Sequence, residues 1–106
     1  MTDSKKKPAA IRYGFIGLGH LGGLLARSLI RGGFAVAVHD LDREAADPLL
    51  ALGASWAESP AEAAAVSDAV ITCLPSASAS ASAVTGPKGV LNGLAKGGTW
   101  IEMSTN

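Results

Sequence analysis

The sequence predicts an α/β fold of the doubly wound kind, a parallel sheet with helices on both faces. Three observations predict it. Strand-like apolar runs alternate with helix-like segments along the whole chain. A glycine-rich turn, Gly17-Leu18-Gly19-His20-Leu21-Gly22, joins the first run to the first helix. The β-branched run Ala69-Val70-Ile71-Thr72-Cys73-Leu74 has the continuous apolar character of a strand buried on both sides. Right-handed crossovers then give about five strands in the order 3-2-1-4-5, with the switch point between the first and fourth.

Each element has a local reason. Arg12 to Ile16 is a short apolar strand, and Leu21 to Arg31 is a helix with Leu21, Leu24, Leu25 and Leu29 gathered on one side. Phe34 to His39 is the second strand and ends on Asp40. Asp42 opens a helix reaching about Leu52 and stopped by Gly53, with Pro48 kinking or shortening it. Ala54 to Ala57 is a short third strand. Ser59-Pro60-Ala61-Glu62 is a capping box with proline at the first helical position, and its alanine-rich helix ends near Val66 or Ser67. The fourth strand, 69–74, stops at Pro75. Ser76 to Ala83 alternates serine and alanine, residues poor in strand propensity, so a short helix running to Val84 and ended by Gly86-Pro87 suits it. Lys88 to Gly98 reads as a loop or a brief helical turn around Val90, Leu91 and Leu94. Thr99 to Met103 is the last strand.

The spacing Gly17, Gly19, Gly22 is G-x-G-x-x-G at a strand-to-helix turn, the context in which it marks a Rossmann-type dinucleotide site. Gly17 permits the tight turn, Gly19 lets a pyrophosphate approach the backbone, and Gly22 lets the helix lie close to the strand. The amides of Gly19, His20 and Leu21 then sit at a helix N-terminus, where the dipole favours an anion. A glycine-rich turn with no ligand is the plainer alternative, and the flanking strand and helix argue against it. Asp40 lies 18 residues after Gly22, near the separation of about 20 expected for the acid that binds an adenosine ribose. A carboxylate there accepts from a 2′-hydroxyl and repels a 2′-phosphate, so NAD is read over NADP, with Arg43 near enough to offset the repulsion. FAD and S-adenosylmethionine sites also use glycine loops followed by an acid and form a weaker reading.

The chain as a whole sets further bounds. Its 106 residues are one domain or part of one. Nine basic and nine acidic side chains balance, so net charge points to neither nucleic acid nor a membrane surface. No apolar run reaches the ~18 residues of a spanning helix. Residues 1–10, with Lys5, Lys6 and Lys7 and no apolar stretch behind them, read as a disordered basic tail rather than a secretory signal, leaving 11–106 as the dinucleotide-binding domain. The single Cys73 has no internal disulfide partner, which suits a reducing, cytoplasmic setting.

Other residues invite chemistry and have plainer explanations. His20 could donate to a pyrophosphate oxygen, although its backbone amide is the simpler binder. His39 reads as half-buried packing, since no third group is at hand to orient it as a base. Cys73 lacks an activating base and reads as an inert buried thiol. Trp56 and Trp100 suit the core or a sheet edge. No cluster has metal-ligand spacing.

With these residues in place, the chain resembles the β-hydroxyacid dehydrogenase family of 3-hydroxyisobutyrate dehydrogenase type. The matching pieces are Gly14-Phe15-Ile16-Gly17-Leu18-Gly19 through Gly22, Gly53-Ala54, Ser59-Pro60-Ala61-Glu62-Ala63, Cys73-Leu74-Pro75, Gly89-Val90-Leu91 and Glu102-Met103-Ser104-Thr105. The resemblance implies NAD-dependent hydride transfer to or from a short β-hydroxyacid. It implies that Leu74 and Pro75 pack against the cofactor and that Thr105 touches it near the nicotinamide. The family's catalytic lysine, substrate-binding segment and helical domain have no counterpart in these 106 residues, so the chain alone is expected to be inactive and the full enzyme a homo-oligomer. Leu21 and Leu25 replace the family's methionines and Glu102 its aspartate. Ala79 stands where some relatives place an asparagine.

Overall fold

The elements follow the chain as β1 (Arg12–Ile16), α1 (His20–Arg31), β2 (Ala35–His39), a 3₁₀ turn (Arg43–Ala46), α2 (Asp47–Ala51), β3 (Ser55–Trp56), α3 (Pro60–Ala65), β4 (Ala69–Thr72), α4 (Val90–Gly93) and β5 (Thr99–Glu102). They come from a computed structural model that describes residues 11–74, 83–84, 86, 89–94 and 98–103. The basic tail, Pro75, the Ser-Ala run through Ser82, Pro87, Lys88, Lys96 and Thr105 lie outside the described residues. All strand pairings are parallel and the order is β3-β2-β1-β4-β5, as the alternation of elements predicts.

Successive strand residues point to opposite faces, and this sheet uses both faces to build two cores. Phe15 points to one, where Leu18, Ala26, Val36, Val38, Ala46, Leu49 and Ile71 close around it. Its neighbour Ile16 points to the other, with Ala57, Ala63, Ala64, Val70 and Val90. α1 and α2 cover the first face; α3 and α4 cover the second. All four residues of β4 are buried, whereas every residue of β5 is exposed at the sheet edge.

Two helices differ from expectation. On α1, Leu21 and Leu24 are 44% and 48% exposed; the face on the sheet is Gly22, Leu25, Ala26 and Leu29. Small residues win this position because the helix lies too close to β1 for leucine. The single helix expected from Asp42 to Leu52 is two pieces. Asp42 does cap, its side chain accepting from Glu44 N, but an α-helix through Glu44 needs an amide at position 48 and Pro48 has none. The chain therefore makes a 3₁₀ turn, Asp47 N–H bonds Glu44 O, and α2 restarts with Pro48 in its first turn. The forward half of the α3 capping box forms as read, Ser59 Oγ accepting from Glu62 N at 3.1 Å, while the return bond lands one residue before the cap, Glu62 Oε1 accepting from Glu58 N at 2.8 Å.

At the far end of the sheet, Arg12 and Asp68 clamp β1 to the entry of β4. Asp68 Oδ2 accepts from Arg12 N and Nε at 2.9 and 3.2 Å, and Oδ1 accepts from Nη2 at 3.1 Å. These bonds hold the Asp68 carboxyl below its ordinary value of 3.8. A group with a depressed folded pKa stabilises above its unfolded value and ceases to as pH falls through the folded one. We expect Asp68→Ala to lower the thermal midpoint at pH 7, and the gap from wild type to close as pH drops below 3.8; a gap that persists unchanged in acid would contradict the clamp.

Candidate functional site: the glycine turn and the tip of β2

β1 ends at Ile16, and Gly17 turns the chain with φ +94°, a left-handed conformation that side chains disfavour. A Cβ at Gly17 would stand 2.4 Å from the Cys73 carbonyl and 2.8 Å from Leu74 Cδ2. The turn is thus pressed against the end of β4, and Leu74 lies against it. Gly19 is the N-cap of α1, extended at φ −64° and ψ −166°, and no side chain caps the helix. The first-turn amides have no carbonyl a turn earlier to bond, so they form an uncapped, partly positive helix end at the crest of the sheet.

The spacing expectations for the glycines meet three different surroundings. At Gly22 a Cβ would fall 2.2 Å from the Gly17 carbonyl oxygen, so α1 can approach the turn only without a side chain there. At Gly19 a Cβ meets nothing within 4 Å, which leaves open space beside the backbone. A diphosphate fits such a place: bare backbone, free donors and room.

Asp40, at the tip of β2, faces this turn. Its Oδ2 accepts from Leu18 N at 2.7 Å and its Oδ1 from Asp42 N at 2.8 Å, while Gly17 N donates to His39 O at 3.0 Å. Each carboxylate oxygen has capacity for a further bond. The Leu18 amide is therefore committed to Asp40, and the Leu18 side chain, 6% exposed, belongs to the core. Leu21 is largely exposed beside the helix end, and His20 contributes the first helical backbone position. The structure thus brings Gly17, Leu18, Gly19, the start of α1, Asp40 and Leu74 together; Pro75 and Thr105 lie outside the described residues.

Two features at β2 escaped the sequence reading. One is the Leu18–Asp40 bond. The other is the contact of Arg43, read from sequence only as a neighbour of Asp40, with Trp56: its guanidinium carbon lies 4.9 Å from the centre of the Trp56 ring. The pairing of Val38 with Trp56 across β2 and β3 brings them near, with α2 between Arg43 and β3 in the chain, so no local signal in the sequence marks the contact. His39 is buried, its Nδ1 2.9 Å from Ala57 O, and its ring packs against Trp56; since a carbonyl only accepts, Nδ1 carries the proton. The Cys73 thiol is pushed up by burial and by Glu102, which keeps it protonated. Among the described residues no three His, Cys, Asp or Glu side chains could together hold a metal ion, and no helix is long and apolar enough to cross a membrane.

A parallel sheet in this order, with an uncapped helix end at its switch point and a carboxylate at the tip of the neighbouring β2, is the arrangement of a dinucleotide-binding α/β domain. Residues 12–106 match the family model described as the NAD binding domain of 6-phosphogluconate dehydrogenase, and the chain belongs to that family. It is 44% identical over 80 residues to a probable mitochondrial 3-hydroxyisobutyrate dehydrogenase of Arabidopsis thaliana, covering 76% of this chain and 23% of the relative. It is also 35% identical over 98 residues to the cytokine-like nuclear factor N-PAC of Danio rerio, covering 92% of this chain and 21% of that one. The chain therefore spans about a quarter of the length of these relatives. Among solved structures it is similar to the Mycobacterium tuberculosis 3-hydroxyisobutyrate dehydrogenase with L-serine, at TM-score 0.83 and 30% identity, over 91% of this chain and 32% of the other. Psf3 in complex with NADP+ and 2-OPP aligns at TM-score 0.82 and 32% identity, over 89% of this chain and 34% of that one.

The glycines separate fold from binding. Gly22→Ala should destabilise the chain by about 1–3 kcal/mol in urea titrations, the usual cost of overpacking. Gly19→Ala should cost about 1 kcal/mol or less, the cost of alanine at an N-cap, yet weaken dinucleotide binding at least tenfold by calorimetry, because its methyl occupies the open space.

Proposed function

We propose that this chain is the nucleotide-binding part of an NAD-dependent oxidoreductase that moves a hydride between the nicotinamide and the carbinol carbon of a short β-hydroxyacid of the 3-hydroxyisobutyrate type. The observation that carries the reading is the uncapped start of α1 facing open space, with Asp40 fastened to the same turn. The nicotinamide supplies the hydride chemistry when bound. The residues of this chain bind and orient. First-turn amides of α1, from Gly19, His20 and Leu21, hold the diphosphate; Asp40 accepts from the adenosine ribose; Leu74 packs against the cofactor; by the family resemblance Pro75 shares that contact and Thr105 touches the cofactor near the nicotinamide. Residues 11–106 act as one dinucleotide-binding domain behind a basic tail.

Asp40 favours NAD because a 2′-phosphate would meet a carboxylate held in place by two backbone N–H groups. NADP is the less favoured cofactor. The general acid/base, a lysine in the family, is supplied from outside these 106 residues, and the complete enzyme is a cytoplasmic homo-oligomer that binds neither nucleic acid nor membrane.

A second reading, a nucleotide-binding module without catalysis, draws on the similarity to N-PAC, a relative named as a nuclear factor. Both readings are tested together. In calorimetry the 106-residue chain should bind NADH, bind NADPH more weakly, and give no heat with FAD or S-adenosylmethionine. With 3-hydroxyisobutyrate and NAD it should show no turnover. Hydride transfer by the pure chain would overturn the assignment of the general acid/base to another segment, and absence of NADH binding would remove the nucleotide reading. A longer protein containing this chain that binds NADH but oxidises no hydroxyacid would favour the module.

A further inference from the structure

We propose that Trp56 governs the choice between NAD and NADP by holding the Arg43 guanidinium away from the space in front of Asp40. The inference rests on the dinucleotide reading above and adds to it a residue outside the glycine turn and the strand tip.

Two charged side chains leave the tip of β2 in opposite directions. β2 lies between β1 and β3. The Asp40 carboxylate is drawn toward β1, where Oδ2 takes the Leu18 amide. Arg43, three residues later, lies over Trp56 of β3, the strand on the other side. Neighbouring strands are about 4.8 Å apart, so these two anchors sit on strands separated by roughly twice that. Arg43 has acids on both sides in sequence, Asp42 and Glu44, and a third at Asp40. Among the described residues the ion pair present is Arg12–Asp68, and Arg43 pairs with none of the three. Its recorded contact is the indole face, the aromatic surface that attracts a cation most strongly.

The indole is free to serve this purpose. Trp56 Nε1 is buried and has no hydrogen-bond partner, so the ring is not fixed by its polar atom. It is braced instead by His39, 5.4 Å away at a tilt of 34°, and His39 is held at Ala57 O. A guanidinium released from the ring would be a flexible cation one turn from the ribose acid, able to pair with a 2′-phosphate. Kept on the ring, it leaves Asp40 as the charge that a 2′-substituent meets. Trp56 is in this sense a positioning residue: it acts through Arg43.

The test measures dissociation constants of NADH and NADPH by fluorescence titration for the wild-type chain and for Trp56→Leu, Trp56→Phe, Arg43→Ala and the Trp56→Leu/Arg43→Ala pair. Trp56→Leu should tighten NADPH about fivefold, the scale of a lost contact of this kind, with NADH unchanged within about twofold. Trp56→Phe forfeits no hydrogen bond, since Nε1 has no partner, and should shift the ratio in the same direction by less; it carries the test should the leucine variant fail to fold. Arg43→Ala should erase the gain in the Trp56→Leu background and change little alone. The gain should also shrink in high salt, as an arginine–phosphate contact does. A ratio unmoved in both Trp56 variants, a gain that survives Arg43→Ala, or a large NADPH loss from Arg43→Ala alone would overturn the proposal while leaving the nucleotide site intact. Failure of the wild-type chain to bind either nucleotide would overturn the dinucleotide reading and this inference with it.

Discussion

The contact on which the rest of the molecule turns is the approach of α1 to the end of β1. No side chain fits between Gly22 and the Gly17 carbonyl, where a Cβ would stand at 2.2 Å. Because the helix can come that close, its first turn rises directly from the crest of the sheet rather than from a loop beside it. The donors of that turn then share one crevice with the ends of β2 and β4. The same closeness explains which residues α1 buries. Ala26 is fully enclosed against the sheet, and the bulkier Leu25 and Leu29 fill the flank toward the first core. A helix set farther out would bury more leucine and would carry its N-terminus away from Asp40.

The second constraint is electrical. Leu18 N and Asp42 N both donate to Asp40, so one carboxylate ties the turn after β1 to the turn after β2. Charge-assisted bonds of this sort are short and directional, and they fix where the acid points before any ligand arrives. The arrangement uses an amide of the glycine turn that the motif alone would have left for the nucleotide. What the turn loses in one donor it gains in a positioned carboxylate, the acceptor that the proposed function assigns to the ribose, and the first-turn amides of α1 remain as donors.

Much of this was legible in the sequence, for physical reasons that differ from element to element. Strand order followed from alternation and crossover handedness, both insensitive to individual side chains. The capping box at Ser59 and the stop at Pro48 followed from backbone hydrogen bonding, which proline and serine alter in fixed ways. The leucine face of α1 misled because periodicity marks an apolar stripe without saying how near the sheet lies. Glycine and alanine at 22 and 26 were the better guide, since small residues are what close approach selects. The Arg43–Trp56 contact was not legible because it joins side chains 13 residues apart through a strand pairing that neither residue announces. Asp40 was singled out by spacing, whereas its bond to Leu18 N depends on the direction of one peptide plane within the turn.

The wall of the crevice beyond β1 is built on a different principle. β4 is buried on both faces, yet it carries a hydroxyl, Thr72, with no exposure at all. A buried hydroxyl without partners is costly, and Thr72 has two: it receives a bond from Trp100 Nε1 at 3.0 Å and donates to the Glu102 carboxylate. Both partners come from β5, whose own faces are exposed, so polar bonds and the strand ladder supply what apolar burial does not. Met103 N then extends the ladder to Thr72 O at 2.8 Å. The consequence reaches the glycine turn. Cys73 and Leu74 follow Thr72 directly, and it is the Cys73 carbonyl and the Leu74 side chain that press on Gly17. Anchoring Thr72 to the edge strand therefore holds the far wall of the crevice at a fixed distance from the turn, and the crevice keeps its width because both of its sides are tied to β1.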